Sequence, residues 1–358
     1  MQRKQNKKWW FRPLLLLFVV ILLHTLALWP WFIENVYSAY IYPSIAYILR
    51  LLTGWIPFSI GDVLYGLAII WIIFKTVKFF KHKPTWRKFA LAGRNFTVKC
   101  LWVYIIFLLL WALNYYRYGI GYKMHLFPDR YSTEDLRIVT ARIRDDLNAN
   151  RKLMDSLHLD YGDSKNIFKQ AAGLYDAAKT THPYLSYPNH SVKKMLAGDV
   201  GSYGGFLGYY NPFTGEAQVN AKMPTFVIPF TTCHEIGHQL GFASESEASF
   251  AGFLAVKSGN LPQFNYSAYF DMFLYANSEL FSRDSVAAKQ NAQQLDTLVK
   301  KDLNEYKQYL KDYRNPLEPL LAKLYGNYLK VHNQPKGIES YDEVVAWLIA
   351  YYKKYGRL

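Results

Sequence analysis

The sequence predicts a mostly helical α+β chain, with three N-terminal transmembrane helices followed by an extracytoplasmic domain. Three observations predict it. Three apolar runs of membrane-spanning length lie before residue 118. Basic residues crowd between those runs. Beyond them, apolar residues recur at helical spacing, broken by one β-like stretch.

The chain has 358 residues, 51% hydrophobic and 18% aromatic. That composition excludes a disordered or low-complexity protein. The formal net charge is +15. Residues 1–117 carry 15 Lys/Arg against Glu34 and Asp62, a net of +13, and residues 118–358 carry 27 basic and 25 acidic residues, a net of +2. A nucleic-acid binder would place its excess on the folded domain. Here it flanks apolar segments, so the partner it predicts is the lipid bilayer and not nucleic acid. Cys100 and Cys233 give no disulfide framework.

The spans are read as residues 13–32, 59–74 and 100–116, close to the ~17–25 residues a bilayer requires. Trp9, Trp10, Trp29, Trp31, Tyr115 and Tyr116 stand where interfacial aromatics are expected. His24, inside the first span, is read as a polar contact between helices. Arg3, Lys4, Lys7, Lys8 and Arg12 precede the first span, and Lys75 to Lys99 supply eight basic residues between the second and third. The positive-inside rule then puts the N-terminus in the cytoplasm and residues 118–358 outside it, on a multi-pass inner-membrane protein. The apolar segment 33–57 is expected to lie at the interface or pack on the spans.

In the domain, Ser132 and Asp135 have capping-box spacing and open a helix to about Asn150. Residues 164–180 are helical by periodicity, and 183–204 read as loop. Residues 204–220 (GGFLGYYNPFTGEAQVN) read as a hairpin or sheet edge turning at Asn211–Gly215. A helix carrying TTCHEIGHQL follows, ended by Gly241. Another helix runs through ASFAGFLAV. Three or four more fill the C-terminal hundred residues, the last near Tyr341–Tyr352, with Ser340 and Glu343 as its capping box.

The chemistry concentrates in His234-Glu235-Ile236-Gly237-His238. On a helix, positions i and i+4 share a face, so both imidazoles reach one ion, and the intervening Glu235 lies beside the open coordination position as a general base. This donor set suits catalytic Zn²⁺. Two carboxylates compete to be the third ligand. Ser244 and Glu247 have capping-box spacing, which occupies Glu247 and leaves Glu245 for the metal. Ser249 is placed to orient a ligand. Cys233 reads as a small buried packing residue. His125, His158, His182, His190 and His332 read as surface or loop histidines. Tyr209, Tyr210, Tyr266 and Tyr269 are the candidate oxyanion donors.

Glu245-x-x-Ala248-Ser249 is similar to the Glu-x-x-Ala/Ser-Asp motif that supplies the third ligand in gluzincin metallopeptidases, with Ser in place of Asp. Glu247 instead gives HExxH-x8-E, the spacing of another gluzincin group. Glu245 is the preferred ligand and Glu247 the alternative. The three spans, GYYNPFTGEAQVN (208–220) and CHEIGHQLGFASESEASF (233–250) together resemble the bacterial membrane family called domain of unknown function 3810. The resemblance implies a zincin-like site. The expected function is a membrane-anchored zinc metallopeptidase cleaving a peptide or protein substrate outside the cytoplasm. The competing expectation is a non-catalytic scaffold or sensor with a structural zinc, which would have no need of Glu235.

Overall fold

The computed structural model describes all residues except 1, 127, 129–130 and 338–342. Among the described residues, three helices are long and apolar enough to cross a membrane: α1 (Gln2–Ala27), α4 (Ile60–Lys81) and α5 (Trp86–Leu110). Their apolar side chains are largely exposed, as lipid-facing helices require. α1 packs along α5, and the His24 Nε2 and Tyr104 hydroxyl hydrogen-bond at 2.9 Å between them.

The helices that contain these segments have ends different from those of the residues read as spans. The third ends at Leu110, not Tyr116. Trp111 begins a 3-10 turn, Ala112–Tyr116, and Trp111 to Tyr115 are buried beneath the domain. The first ends at Ala27, before Trp29 and Trp31. The second extends beyond Phe74 to Lys81.

Between α1 and α4 the chain is helical throughout most of its length. A turn α2 (Pro30–Phe32) passes into a π-helix, Ile33–Ile41, and then α3 (Tyr42–Thr53). This segment does more than rest on the spans. Glu34, Tyr37, Tyr42, Ala46 and Arg50 are buried. Glu34 is clamped by Arg117 and Lys123, each at 2.9 Å, and accepts the Gly119 amide at 3.1 Å. Gly119 opens the short helix α6 (Gly119–Met124).

The remaining helices are α7 (Thr133–Ser156), α8 (Ser164–Ala178), α9 (Gly198–Tyr203), α10 (Ile228–Gln239), α11 (Glu245–Gly259), α12 (Pro262–Arg283), α13 (Ser285–Gln293), α14 (Thr297–Asp312), α15 (Glu318–Val331) and α16 (Glu343–Tyr355). Ser132 and Asp135 form the expected capping box on α7. α11 is the central helix, buried at every position from Glu245 to Val256. It packs on α8, α10 and α16. Five helices fill the C-terminal region where three or four were expected. The proposed capping partner Ser340 lies outside the described residues.

The sheet has three strands in the order β1-β3-β2: β1 (Val192–Lys194), β2 (Gly208–Asn211) and β3 (Glu216–Val219). β2 and β3 form the expected hairpin, with Gly208 opposite Val219. β1 pairs parallel to β3, Val192 opposite Ala217. Residues 183–204, read as loop, therefore hold a strand and α9. His332, read as a surface residue, is buried among the rings of Tyr104, Phe107, Tyr115 and Tyr328.

Candidate metal centre

α10 carries His234, Glu235 and His238, and its position is fixed from both ends of its C-terminal turn. The buried Gln239 side chain accepts from the Tyr187 hydroxyl at 2.6 Å and donates to the Ser191 and Gly215 carbonyls at 3.0 and 2.7 Å. These bonds tie the helix to the sheet. The Gln239 carbonyl accepts from the Tyr42 hydroxyl at 3.0 Å and from Arg50 at 3.2 Å. A cation at a helix C-terminus also complements its dipole. Gly241 then takes φ +86°, a left-handed conformation that L side chains resist. The chain reverses there and brings the start of α11 back over α10.

That reversal places Glu245 against both histidines. Its Oε2 lies 3.2 Å from the Nε2 of His234 and 3.2 Å from the Nε2 of His238. The three ligand atoms all lie within 4.8 Å of one another. The far nitrogens are already engaged. His238 Nδ1 meets the Phe242 carbonyl at 2.8 Å, and His234 Nδ1 meets Ser249 Oγ at 2.9 Å. A carbonyl only accepts, so His238 Nδ1 carries a proton. Both rings thus turn Nε2 toward Glu245, the arrangement that outer partners impose on metal-binding histidines.

The donor set fits a tetrahedral zinc. Two ligands at ~2.0–2.1 Å from one ion, at the tetrahedral angle, stand roughly 3.3 Å apart. The Glu245–His separations of 3.2 Å match that edge. Without a cation, burial disfavours charge, yet the ionised Glu245 beside it holds His238 as an imidazolium, up to about 9. Burial would raise Glu245, but the two imidazoles keep it well below the usual carboxylate range. A cation held by these three residues would take the place of that proton.

Glu235 is buried, and its Oε2 has no hydrogen-bond partner among the described residues. Burial pushes its carboxyl up to about 8. It lines a cavity of about 460 Å³ together with His234, Gly208, Phe230, Ser249 and Tyr325. Gly208 on β2 makes this approach feasible, since a Cβ there would come within 2.6 Å of Glu235 Oε1. Asp271 and Glu318 also line the cavity, and no lysine or arginine does among the described residues. Burial lifts Asp271 to about 7.

Glu247 does not join the centre, nor does it cap α11. Ser244 is the N-cap residue but makes no capping hydrogen bond. The Glu247 carboxylate instead accepts the Ile120 amide at 2.8 Å, and burial raises it to about 7. The four tyrosines proposed as oxyanion donors are engaged elsewhere: Tyr209 with Asp62, Tyr210 with Tyr42, Tyr266 with Asp302 and Tyr269 with Lys257. Two other tyrosines line the cavity, Tyr275 of α12 and Tyr325 of α15, and Tyr325 reaches the Glu245 carboxylate. Its hydroxyl donates to Glu245 Oε1, and its ring packs on Phe206 at 5.9 Å. Sequence reasoning missed it because nothing local marks one tyrosine on an exposed helix 80 residues from its partner. Cys233 is fully buried, as expected.

The profile of the family described as "Protein of unknown function (DUF3810)" matches residues 37–349. The chain belongs to the DUF3810 family. The match begins within the π-helix and runs through α4, α5, the sheet and the His–Glu cluster, so this DUF3810 chain carries two of its three long apolar helices and the cluster inside one family unit, with α1 preceding it. No curated protein and no solved structure matches it.

Proposed function

We propose that this protein is a membrane-anchored, zinc-dependent peptidase whose site faces the extracytoplasmic side, with a zincin-like arrangement. One observation carries the reading: Glu245 Oε2 stands 3.2 Å from both Nε2 atoms, beside a buried Glu235 that lines a cavity and whose Oε2 has no hydrogen-bond partner among the described residues.

His234, His238 and Glu245 would hold the ion. Zinc bound there supplies Lewis-acid polarisation of the scissile carbonyl and of the attacking water. Glu235 takes the proton from that water as its oxygen bonds to the carbonyl carbon. As the C–N bond breaks, the same carboxyl hands the proton to the leaving amine. Tyr325 is a hydroxyl donor within the cavity. β2 is an edge strand beside Glu235. The Asn220 amide bonds the Leu207 carbonyl at 2.8 Å, so the alternate residues Gly208 and Tyr210 aim their backbone groups at the open edge. An extended peptide paired there would run past Glu235.

The test is made on the purified full chain in nanodiscs. Elemental analysis should find one zinc per chain, and a fluorogenic peptide library should be cleaved. Glu235→Gln should retain the zinc and lose hydrolysis by ~10²–10⁴-fold. Zinc at unit stoichiometry with no cleavage by the wild type, or equal cleavage by the variant, would overturn the catalytic reading.

A further inference from the structure

The cavity has two rims, and both grow out of the membrane helices. One rim is Gly204, Gly205 and Phe206, which follow α9. It is fastened to the first turn of α4: the Leu196 amide donates to Asp62 at 2.7 Å, and the Tyr209 hydroxyl donates to the same carboxylate. The other rim is Glu318, Leu321 and Tyr325 of α15. It is fastened to the last turn of α5, where Phe107 packs against Tyr328 at 6.3 Å and His332 at 5.8 Å. The start of α4 and the end of α5 lie at the same face of the spans. The exposed Trp29 and Trp31 follow the end of α1, and the exposed Trp55 and Phe58 precede the start of α4.

Each rim turns apolar side chains outward. On α15, Leu317, Leu320, Leu324 and Val331 are all more than half exposed. At 100° per residue they fall within an arc of about 60°. Lys323 and Lys330 are exposed roughly 100° around the helix from that stripe. On the α9 rim, Leu196, Val200 and Tyr203 are exposed at spacings of four and three. An apolar stripe flanked by lysines is the pattern of a helix lying in a membrane surface. Scattered apolar residues need no explanation, but an apolar stripe on each rim of one cavity does.

We infer that α15 and the α9 rim are seated in the lipid leaflet on the domain's side of the membrane, so that the mouth of the cavity opens at the level of the headgroups. The occupant is phospholipid, because both rims are fastened to the ends of the exposed apolar helices α4 and α5, at Asp62 and Phe107. The lysines reach from the stripe to the headgroups. Combined with the proposed hydrolysis, on which this one consequence rests, the substrate class is a polypeptide held at the bilayer surface.

The test places single cysteines in the full chain, with Cys100→Ser removing the exposed thiol. A fluorophore at Leu320, Leu324 or Val200 is compared with one at Lys323, or at Val286 on α13, in nanodiscs containing spin-labelled phospholipid. The expected result is quenching by the lipid several-fold stronger at the three stripe positions than at Val286, with matching protection from aqueous iodide. Equal lipid quenching at Leu324, Val200 and Val286 would overturn the inference. Protection from iodide without lipid quenching would overturn it too, by assigning the stripes to a protein partner or a second copy. Neither result depends on catalysis, so failure here leaves the zinc and cleavage measurements to judge the peptidase reading separately.

Discussion

Glu247 follows Glu245 by two residues, and the two carboxylates serve opposite sides of α11. Glu245 turns to the imidazoles at 3.2 Å, and Glu247 turns to the Ile120 amide at 2.8 Å. Two positions on a helix differ by roughly 200°, so one helix cannot aim both at a single ion. The corresponding variants should therefore separate. Glu245→Ala is expected to abolish zinc retention after dialysis while the protein still folds. Glu247→Ala is expected to keep its zinc but to lose ~1–3 kcal/mol of stability, because the Ile120 amide is left buried without an acceptor. Zinc content by elemental analysis and thermal unfolding by circular dichroism check both. Zinc loss on Glu247→Ala alone would move the third ligand.

Gly208 of β2 leaves no room for a side chain beside Glu235. A methyl group at residue 208 would stand 2.6 Å from Glu235 Oε1 and 2.9 Å from the Gln218 carbonyl oxygen. The backbone oxygen belongs to a paired strand and resists movement, so the Glu235 carboxylate must give way. Gly208→Ala is expected to lower kcat by ~10²-fold, the scale of a misplaced reacting group, with zinc content unchanged. A variant with full activity would show that Glu235 is not held in its working position by this contact.

Where the sequence was informative, the determinant was local. Ser132 and Asp135 cap α7, Gly241 breaks α10, and Asn211–Gly215 turns the hairpin, each within a few residues of what it controls. The i, i+4 histidines share a face by helix geometry alone. Where it was silent, the determinant was a distant contact. β1 exists because its three residues find β3, and nothing in residues 183–204 announces that pairing. Tyr325 reaches Glu245 only through the fold. Hydropathy also cannot separate lipid from protein interior. Trp111 to Tyr115 looked like the end of a span, and 33–57 like a segment at the interface or on the spans, yet Trp111 to Tyr115 and the single face made by Tyr37, Tyr42 and Ala46 are buried, in a cluster that reaches Tyr210 and Ala243 of the domain as well as the apolar helices.

The Tyr325 hydroxyl donates to the Glu245 oxygen that faces away from the histidines. Such outer hydrogen bonds hold a ligand carboxylate in orientation, and their loss typically costs ~10–100-fold in metal affinity. Tyr325→Phe keeps the ring against Phe206 and removes only the hydroxyl. The expected outcome is an unchanged unfolding temperature of the zinc-free protein and a zinc affinity lowered within that range. Competition with a chromophoric chelator measures it. An unaltered affinity would make Tyr325 a packing residue alone.

Glu34 gives the chain an acid-sensitive tether. Burial alone would raise its carboxyl, but Arg117, Lys123 and the Gly119 amide overcome burial and bring it from 4.5 to about 2. Its value is depressed in the folded state, so its contribution is fully present above pH 4.5 and is lost as pH falls from 4.5 toward 2. The 2.5-unit gap corresponds to ~3 kcal/mol over that window. Because Glu34 ties the π-helix to α6, acid should first loosen the segment between α1 and α4 from the domain. Hydrogen exchange at pH 3 should show residues 30–53 exchanging faster, relative to pH 6, than α11. Glu34→Gln is expected to remove this acid dependence. It should also lower stability at pH 7 by roughly 3–5 kcal/mol, since Arg117 and Lys123 would then face no counter-charge. An acid profile unchanged by Glu34→Gln would assign the tether to another carboxylate.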